Sequence, residues 1–348
     1  MLPEELDELT APWFADVLGL DVAKVEILDH HSGTTGRARC ALHGEPALPP
    51  TVFVKLAPFD VTQRQFVDSV GMGVAEARFY RDLASDVPVR VPRVWFADTD
   101  GKQYVMVLED LEASGCRFPA PTDDDIEYRA RDIVEQLAAL HARFWESPRF
   151  EADRDLAWLA NKGTGGGDGG AALVRITADT FRDRLPEAFH RLADLYVARS
   201  TEIQALMNDG PRTLVHGDPH LGNLFVDVPG GDRTGFLDWA VLGRSPGIRD
   251  VAYVMCNSIP TDVRRATERK LVERYCEVLA ECGVGDLDPD DVWTGYRLFA
   301  VYSWVAATAT VAMGSKWQPL EIGLAGTERA TRAIEDLDTV GLLESQLS

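Results

Sequence analysis

In the run LVHGDPHLGNLFVD, residues 214–227, a short polar turn carrying His216, Asp218, His220 and Asn223 is flanked on both sides by apolar and β-branched residues. Such flanks read as strands, and Gly217, Pro219 and Gly222 read as the tight loop between them. Twenty residues after Asp218 the pattern recurs more briefly in GFLDWA, where an apolar run ends on Asp238. Whatever this chain folds into must therefore support two strand-bounded turns with oxygen-bearing side chains. Loops at strand ends are where a scaffold usually holds its reactive groups.

Oxygen donors of this kind suit phosphoryl transfer. Moving a phosphoryl group from a nucleotide to a hydroxyl requires one or two Mg²⁺ ions to neutralise the β- and γ-oxygens, and a carboxylate to orient the attacking hydroxyl. Asp218 suits the second task. Asn223 and Asp238, one neutral and one charged, are hard donors that suit Mg²⁺ without holding it so tightly that product is trapped. His216 then supports the loop. The plainer alternative, turn residues of an ordinary α/β domain, leaves four polar types at this spacing to coincidence.

The spacing of His, any residue, Asp, four residues and Asn, followed by a later Asp at a strand end, resembles the catalytic and metal-binding loops of the protein-kinase-like fold. HGDPHLGN followed by FLDWAVLGRSPGIRDVA is similar to the aminoglycoside phosphotransferase family, which takes in choline-kinase-like and fructosamine-kinase-like enzymes. That family carries HGD where protein kinases usually carry HRD. The resemblance implies an α+β, bilobal fold: a small antiparallel-sheet N-lobe with helices over residues 1–108, and a larger, mainly helical C-lobe over residues 109–348. It also implies ATP or GTP with Mg²⁺ as cofactors, Asp218 as the catalytic residue, Asn223 and Asp238 as metal ligands, and Asp250 as a buried brace for the catalytic loop.

Upstream segments fall in the order that resemblance requires. TVFVKLA, residues 51–57, is an apolar and β-branched strand with one cation, Lys55, which is either a solvated edge residue or a lysine for the α/β-phosphates. Its expected partner is Glu76, in the segment EARFYRDL on a following helix; the alternative is a surface Glu paired with Arg78 or Arg81. HHSGTTGRARC, residues 30–40, does not fit the GxxxxGK[ST] phosphate loop. Ser32, Gly33, Thr34, Thr35 and Gly36 fit a covering loop over phosphates, or an ordinary hairpin turn. YVMVLEDL, residues 104–111, resembles the linker whose backbone binds the adenine, at Leu108, Glu109, Asp110 and Leu111, with the nucleotide between the lobes.

Composition narrows the class. With 348 residues, 45% of them hydrophobic and 26% charged, the chain has ample material for two lobes and is not a disordered one. Five cysteines, Cys40, Cys116, Cys256, Cys276 and Cys282, form no CxxC pair and read as reduced thiols, without a zinc site or disulfide framework. The acidic, helix-like start MLPEELDELTAPWFADVL lacks the pattern of a secretion signal, so a cytoplasmic location is expected. Leu298 to Ser315 carries no charge over eighteen residues, the lower bound for a membrane span. Its Ser, Thr, Gly and Ala content favours a buried helix. A formal charge of −21 disfavours nucleic acid and attracts cations such as amino sugars or quaternary amines, although an acidic surface serves solubility equally well. No membrane and no obligate protein partner are expected; the partner is a small-molecule hydroxyl acceptor.

Beyond the linker, IEYRARDIVEQLAALHARFWES places Ile133, Leu137, Leu140 and Phe144 at helical spacing, with His141 packed or hydrogen-bonded. NKGTGGGDGG, residues 161–170, reads as a mobile linker, or else a substrate lid. Three helices follow Asp250, near residues 262–282, 288–313 and 320–338, and should build the acceptor wall. Tyr302, Trp304, Trp317 and Glu321 are candidate contacts there, each also readable as core or surface. His220 is placed to approach the acceptor or to stabilise its loop. A protein kinase is disfavoured because Trp239 and Ala240 stand where Phe and Gly would follow Asp238, and no Ala-Pro-Glu segment appears downstream. The remaining alternative is a catalytically silent nucleotide-binding protein of the same fold.

Overall fold

The computed structural model describes residues 2–159, 168–285, 287–314 and 319–348. The chain forms two compact units, Met1–Phe118 with Phe225–Val241, and Pro119–Leu224 with Leu242–Ser348. The sequence reading divides the chain between residues 108 and 109, whereas these compact units divide after Phe118 and a later segment joins the first. Backbone pairing supplies the reason. Arg117 exchanges both amide hydrogen bonds with Val226, at 3.0 and 2.7 Å, which ties residues 110–118 and 225–241 together.

In the first unit, helix α1 (Ala11–Leu18) starts where the Thr10 side chain accepts from the Trp13 amide, and stops at Gly19 in the left-handed conformation. There follow β1 (Val22–Ser32), β2 (Gly36–Gly44), β3 (Thr51–Leu56), α2 (Val61–Val70), α3 (Met72–Arg78), β4 (Val94–Thr99) and β5 (Tyr104–Glu109). After α3 the chain continues as a π-helical turn over Phe79–Leu83. The strands pair antiparallel in the order β1-β2-β3-β5-β4. Period-two alternation on β2 turns Ala38, Cys40 and Leu42 inward, against Val52, Val54, Val105, Val107 and Phe14 of the core. Each such Val, Leu or Phe contributes about 1.5–3 kcal/mol by leaving water.

The second unit is mainly helical, as the resemblance implies. Its first elements are α4 (Ile126–Arg143), α5 (Asp168–Thr180), α6 (Glu187–Met207) and β6 (Thr213–Val215). β7 (Leu224–Asp227) and β8 (Arg233–Phe236) then form a two-stranded sheet that, apart from Leu224, belongs to the first unit. β9 (Gly243–Ser245) returns antiparallel to β6, and α7 (Ile248–Asn257), α8 (Thr261–Glu281), α9 (Pro289–Met313), α10 (Leu320–Asp336) and α11 (Thr339–Gln346) complete the unit. The three expected helices correspond to α8, α9 and α10, while α7 and α11 add to them. The uncharged run lies inside α9 from Leu298 to Met313, its last residue Ser315 falls outside the described residues, and among the described residues no helix is long and apolar enough to cross a membrane. Residues 168–170 of the glycine-rich stretch open α5 and are helix, not loop; its residues 161–167 lie outside the described residues, as does Trp317.

The approach of α3 to the sheet depends on one missing side chain. A Cβ at Gly73 would sit 1.9 Å from the Tyr104 ring, on the neighbouring β5. Gly73→Ala should therefore force overpacking and lower stability by about 1–3 kcal/mol. Thermal unfolding checks this; an unchanged midpoint would show that α3 can move away without loss.

Candidate active site

Lys55 lies on β3, the central strand of five, and not on an edge. It is 4% exposed, and its Nζ donates to both carboxylate oxygens of Glu76 at 2.6 Å. Glu76, on α3, is fully buried. The surface alternative for it does not hold: Arg81 pairs instead with Asp82 and Asp98 at 2.8 and 3.0 Å, and Arg78 approaches Asp82 at 3.9 Å. Burial pushes the Glu76 carboxyl above its ordinary range, and Lys55 opposes that push. Desolvating two charges costs several kcal/mol each, so stability alone is a poor reason for such a pair.

Asp238 closes the same cluster. Its Oδ1 lies 3.4 Å from Lys55 Nζ and its Oδ2 3.3 Å from Arg37 Nη2. Arg37 was not singled out in the sequence, yet β2 and β3 pair Arg37 opposite Lys55, which puts the two cations on one face. The Asp238 backbone is left-handed, φ 62°, a conformation that costs a non-glycine residue about 1–3 kcal/mol and persists only where its surroundings enforce it. Beside it the Trp239 ring stacks on Phe79, 3.9 Å between centroids.

The segment Ser32 to Gly36 is the turn between β1 and β2, with the Gly33 amide donating to the Thr35 carbonyl at 3.0 Å. Ser32 Oγ accepts from the Phe59 amide at 3.0 Å and bonds Gln63 Oε1 at 3.1 Å, so this hydroxyl anchors the turn to α2. Thr35 accepts from Arg37 Nε, and Thr34 lies between Gly33 and Thr35 in the turn. At the end of β5, Leu108 is buried, the Glu109 amide is committed to the Arg93 carbonyl, and the Glu109 carboxylate holds Arg90. Asp110 is buried beside Arg39 Nε at 3.1 Å, and the Leu111 carbonyl accepts from the Cys116 amide. The side chains here hold the segment in place.

In the second unit the loop after β6 is built around Asp250 on α7. Its Oδ2 accepts the His216 amide at 2.7 Å and its Oδ1 the Gly217 amide at 3.1 Å. His141 Nε2 approaches Oδ2 at 3.5 Å, while His141 Nδ1 meets the Tyr275 hydroxyl at 2.9 Å. Burial alone would raise the Asp250 carboxyl. The hydrogen bond and charge of His141, with Arg249 and His216, hold it instead below the usual range. Gly217, at φ 88°, gives its carbonyl to the Tyr302 hydroxyl at 2.6 Å, and the Arg249 guanidinium lies over the Tyr302 ring.

Both oxygens of Asp218 are oriented by donors. The Tyr253 hydroxyl donates to Oδ1, and Asn223 Nδ2 donates to Oδ2 at 3.1 Å. The Asp218 amide donates to His216 Nδ1 at 3.2 Å. His220 Nδ1 accepts from the Gly222 amide at 3.1 Å, which places the neutral ring's proton on Nε2, 3.7 Å from Asp218 Oδ2. Asp218, His220 and Tyr253 line a cavity of ≈ 420 Å³ walled by α9 and α10.

Of the acceptor candidates, Trp304 is fully buried against Phe189 and belongs to the core. Tyr302 is also buried and serves the loop through Gly217. Glu321 is exposed and pairs with Arg184 at 3.2 Å, away from the cavity beside Asp218. Tyr253 carried no motif signal. Only its place one turn beyond Asp250 on α7 could have drawn attention to it.

Residues 35–291 match the sequence profile described as phosphotransferase enzyme family. A comparison with curated proteins finds no match. Among solved structures, choline kinase from Cryptosporidium parvum Iowa II aligns over 92% of this chain and 91% of its own, with TM-score 0.57 and 12% identity. Ethanolamine kinase from Plasmodium vivax aligns over 94% and 85%, with TM-score 0.54 and 12% identity. A GDP complex of the aminoglycoside 2'-phosphotransferase-IIIa F108L mutant aligns over 92% and 96%, with TM-score 0.55 and 14% identity.

The bracing of the loop by a charged carboxylate can be read from stability. Asp250→Asn should cost about 1.5–3 kcal/mol, the worth of hydrogen bonds to a charged group. Because the folded carboxyl titrates below its unfolded value near 4, its contribution is complete above that pH and fades as pH falls through the folded value. Denaturant unfolding of wild type and variant between about pH 6 and 2 should show their difference shrinking with acid; a constant difference would contradict the charged brace.

Proposed function

Because the chain belongs to the phosphotransferase enzyme family, we propose that it transfers the γ-phosphoryl group of ATP or GTP to a hydroxyl of a small molecule, with Asp218 orienting that hydroxyl. The observation that carries this reading is the Asp218 carboxylate, fixed at both oxygens by Tyr253 and Asn223 on the wall of a small-molecule-sized cavity. A group so held is preorganised for a reacting hydroxyl and needs no rearrangement.

Lys55, paired with Glu76, takes the α/β-phosphates in this reading. The turn from Ser32 to Gly36 covers them, and the backbone of Leu108 to Leu111 receives the base. Asp238 and Asn223 fit Mg²⁺ by donor chemistry: one carboxylate oxygen and one amide oxygen, both hard. Asn223 spends its nitrogen on Asp218, and its oxygen is the atom that would serve as a ligand. Among the described residues no three His, Cys, Asp or Glu side chains form a metal cage, so the ion would share its shell with phosphates and water, as Mg²⁺ commonly does. When bound, it would neutralise charge on the β- and γ-oxygens.

Transfer is direct. The acceptor oxygen forms the new bond to the γ-phosphorus, the bond from that phosphorus to the β-bridging oxygen breaks, and the nucleoside diphosphate leaves with that electron pair. The hydroxyl proton passes to Asp218 Oδ and then to solvent. His216 and Asp250 support the loop, and His220 faces the acceptor.

Asp218→Ala is expected to lower kcat by about 10²–10⁴-fold while retaining nucleotide affinity. Asp238→Ala should weaken Mg²⁺-nucleotide binding itself. Nucleotide titrations with ATP and GTP, beside a coupled assay with product mass, separate the two. Equal turnover by wild type and Asp218→Ala would remove the mechanism. Mg²⁺-dependent nucleotide binding without transfer to any alcohol would favour a silent binding protein.

A further inference from the structure

The cavity beside Asp218 says more about the acceptor than the chain's overall charge does. Its walls come from residues 119–121, the loop at His220, the end of α7, and α9 and α10. Most of the lining is apolar or small, including Leu221, Ala307 and Ile322. Among the described residues Asp218 is the only carboxylate lining it, and the opposing charge is Arg329 of α10.

Arg329 is held in place from below. Its Nε donates to the Asn257 carbonyl at 2.7 Å. Gly326, one turn earlier on α10, lets the helix come that close, since a Cβ there would lie 3.0 Å from Asn257 Oδ1. Among the described residues no carboxylate lies within 4 Å of the Arg329 guanidinium, although arginines nearby, such as Arg332 with Glu328, are paired. Burial holds Arg329 below its ordinary value. The charge of Glu328 opposes that effect without forming an ion pair, and a half-buried guanidinium lining a cavity can offer its remaining N–H donors to an oxyanion.

We infer that the acceptor is a hydroxy acid, an alcohol with an apolar body whose carboxylate or similar oxyanion pairs with Arg329 while its hydroxyl reaches Asp218. This rests on the kinase reading for its second half and on the pocket alone for its first. A cationic amine would meet the Arg329 charge without a second carboxylate to offset it, so the site discriminates by repulsion as well as attraction. The acidic surface does not reverse this. Other carboxylates lie outside this cavity, for example in the groove between α4 and α8, where Asp124, Asp125, Glu127, Glu273 and Glu277 stand with Arg131, Lys270 and Arg274.

The test uses charge-matched acceptors on the full chain: 4-hydroxybutanoate, 6-hydroxyhexanoate and 4-(hydroxymethyl)benzoate, each beside an amine and a neutral counterpart (4-aminobutan-1-ol and butan-1-ol, 6-aminohexan-1-ol and hexan-1-ol, 4-(hydroxymethyl)benzylamine and benzyl alcohol). Binding is measured by calorimetry, and transfer by product mass with Mg²⁺ and ATP or GTP. At least one hydroxy acid should bind more tightly than both counterparts. Arg329→Gln should raise its Kd about tenfold or more, and Arg329→Lys should recover part of the loss. Preference for the amines, an Arg329→Gln variant with unchanged affinity, or no binding by any of the three acids would overturn the inference. Arg329-dependent binding of an acid with no phosphorylated product would leave the pocket assignment standing and remove the kinase reading.

Discussion

The carboxylate of Asp250 has no exposed surface, so every favourable interaction that keeps it charged must come from the protein. It draws in the amides of His216 and Gly217 and the ring of His141, and those contacts decide the path of the following residues. Gly217 adopts a positive φ that a side chain would resist, and its carbonyl turns to Tyr302. Asp218 emerges from a loop already fixed on its N-terminal side, and Tyr253, one turn beyond Asp250 on α7, meets it. One buried charge thus sets both the backbone that presents Asp218 and the helix that orients it.

The first unit uses buried charge differently. Arg37, Lys55, Glu76 and Asp238 balance two cations against two carboxylates. A well-packed apolar cluster of similar volume would often be as stable or more so. The left-handed Asp238 adds backbone strain to the desolvation. Such an arrangement is favoured where charges must be kept in place for a charged ligand, and a triphosphate with its cation is such a ligand.

What the sequence made legible was local. The strand bearing Lys55, the helix bearing Glu76 and the turns around Asp218 and Asp238 each carry their signal within a few residues, and α4 and α8 to α10 follow from apolar spacing. What it hid depends on distant pairing. No local pattern announces that Arg117 pairs with Val226, or that residues 225–241 belong with the first unit. Arg37 acquires its role only through strand register. Trp304 stayed open between contact and core because an aromatic on a helix looks the same from sequence whether it faces a pocket or the core, and here it faces Phe189 and Tyr196.

Net charge is silent about the acceptor for a related reason. A total of −21 describes the far field, and exposed carboxylates more than a Debye length of about 8 Å away are largely screened at physiological salt. Within a partly desolvated cavity, a single guanidinium a few ångströms from the ligand outweighs them, because the effective dielectric falls as water is excluded. The fold is shared with structures only 12–14% identical to this chain, and a shared fold does not by itself set the acceptor. On the proposed reading, acceptor choice rests on a few side chains of that cavity, among them Arg329, a charge that a summed composition cannot locate.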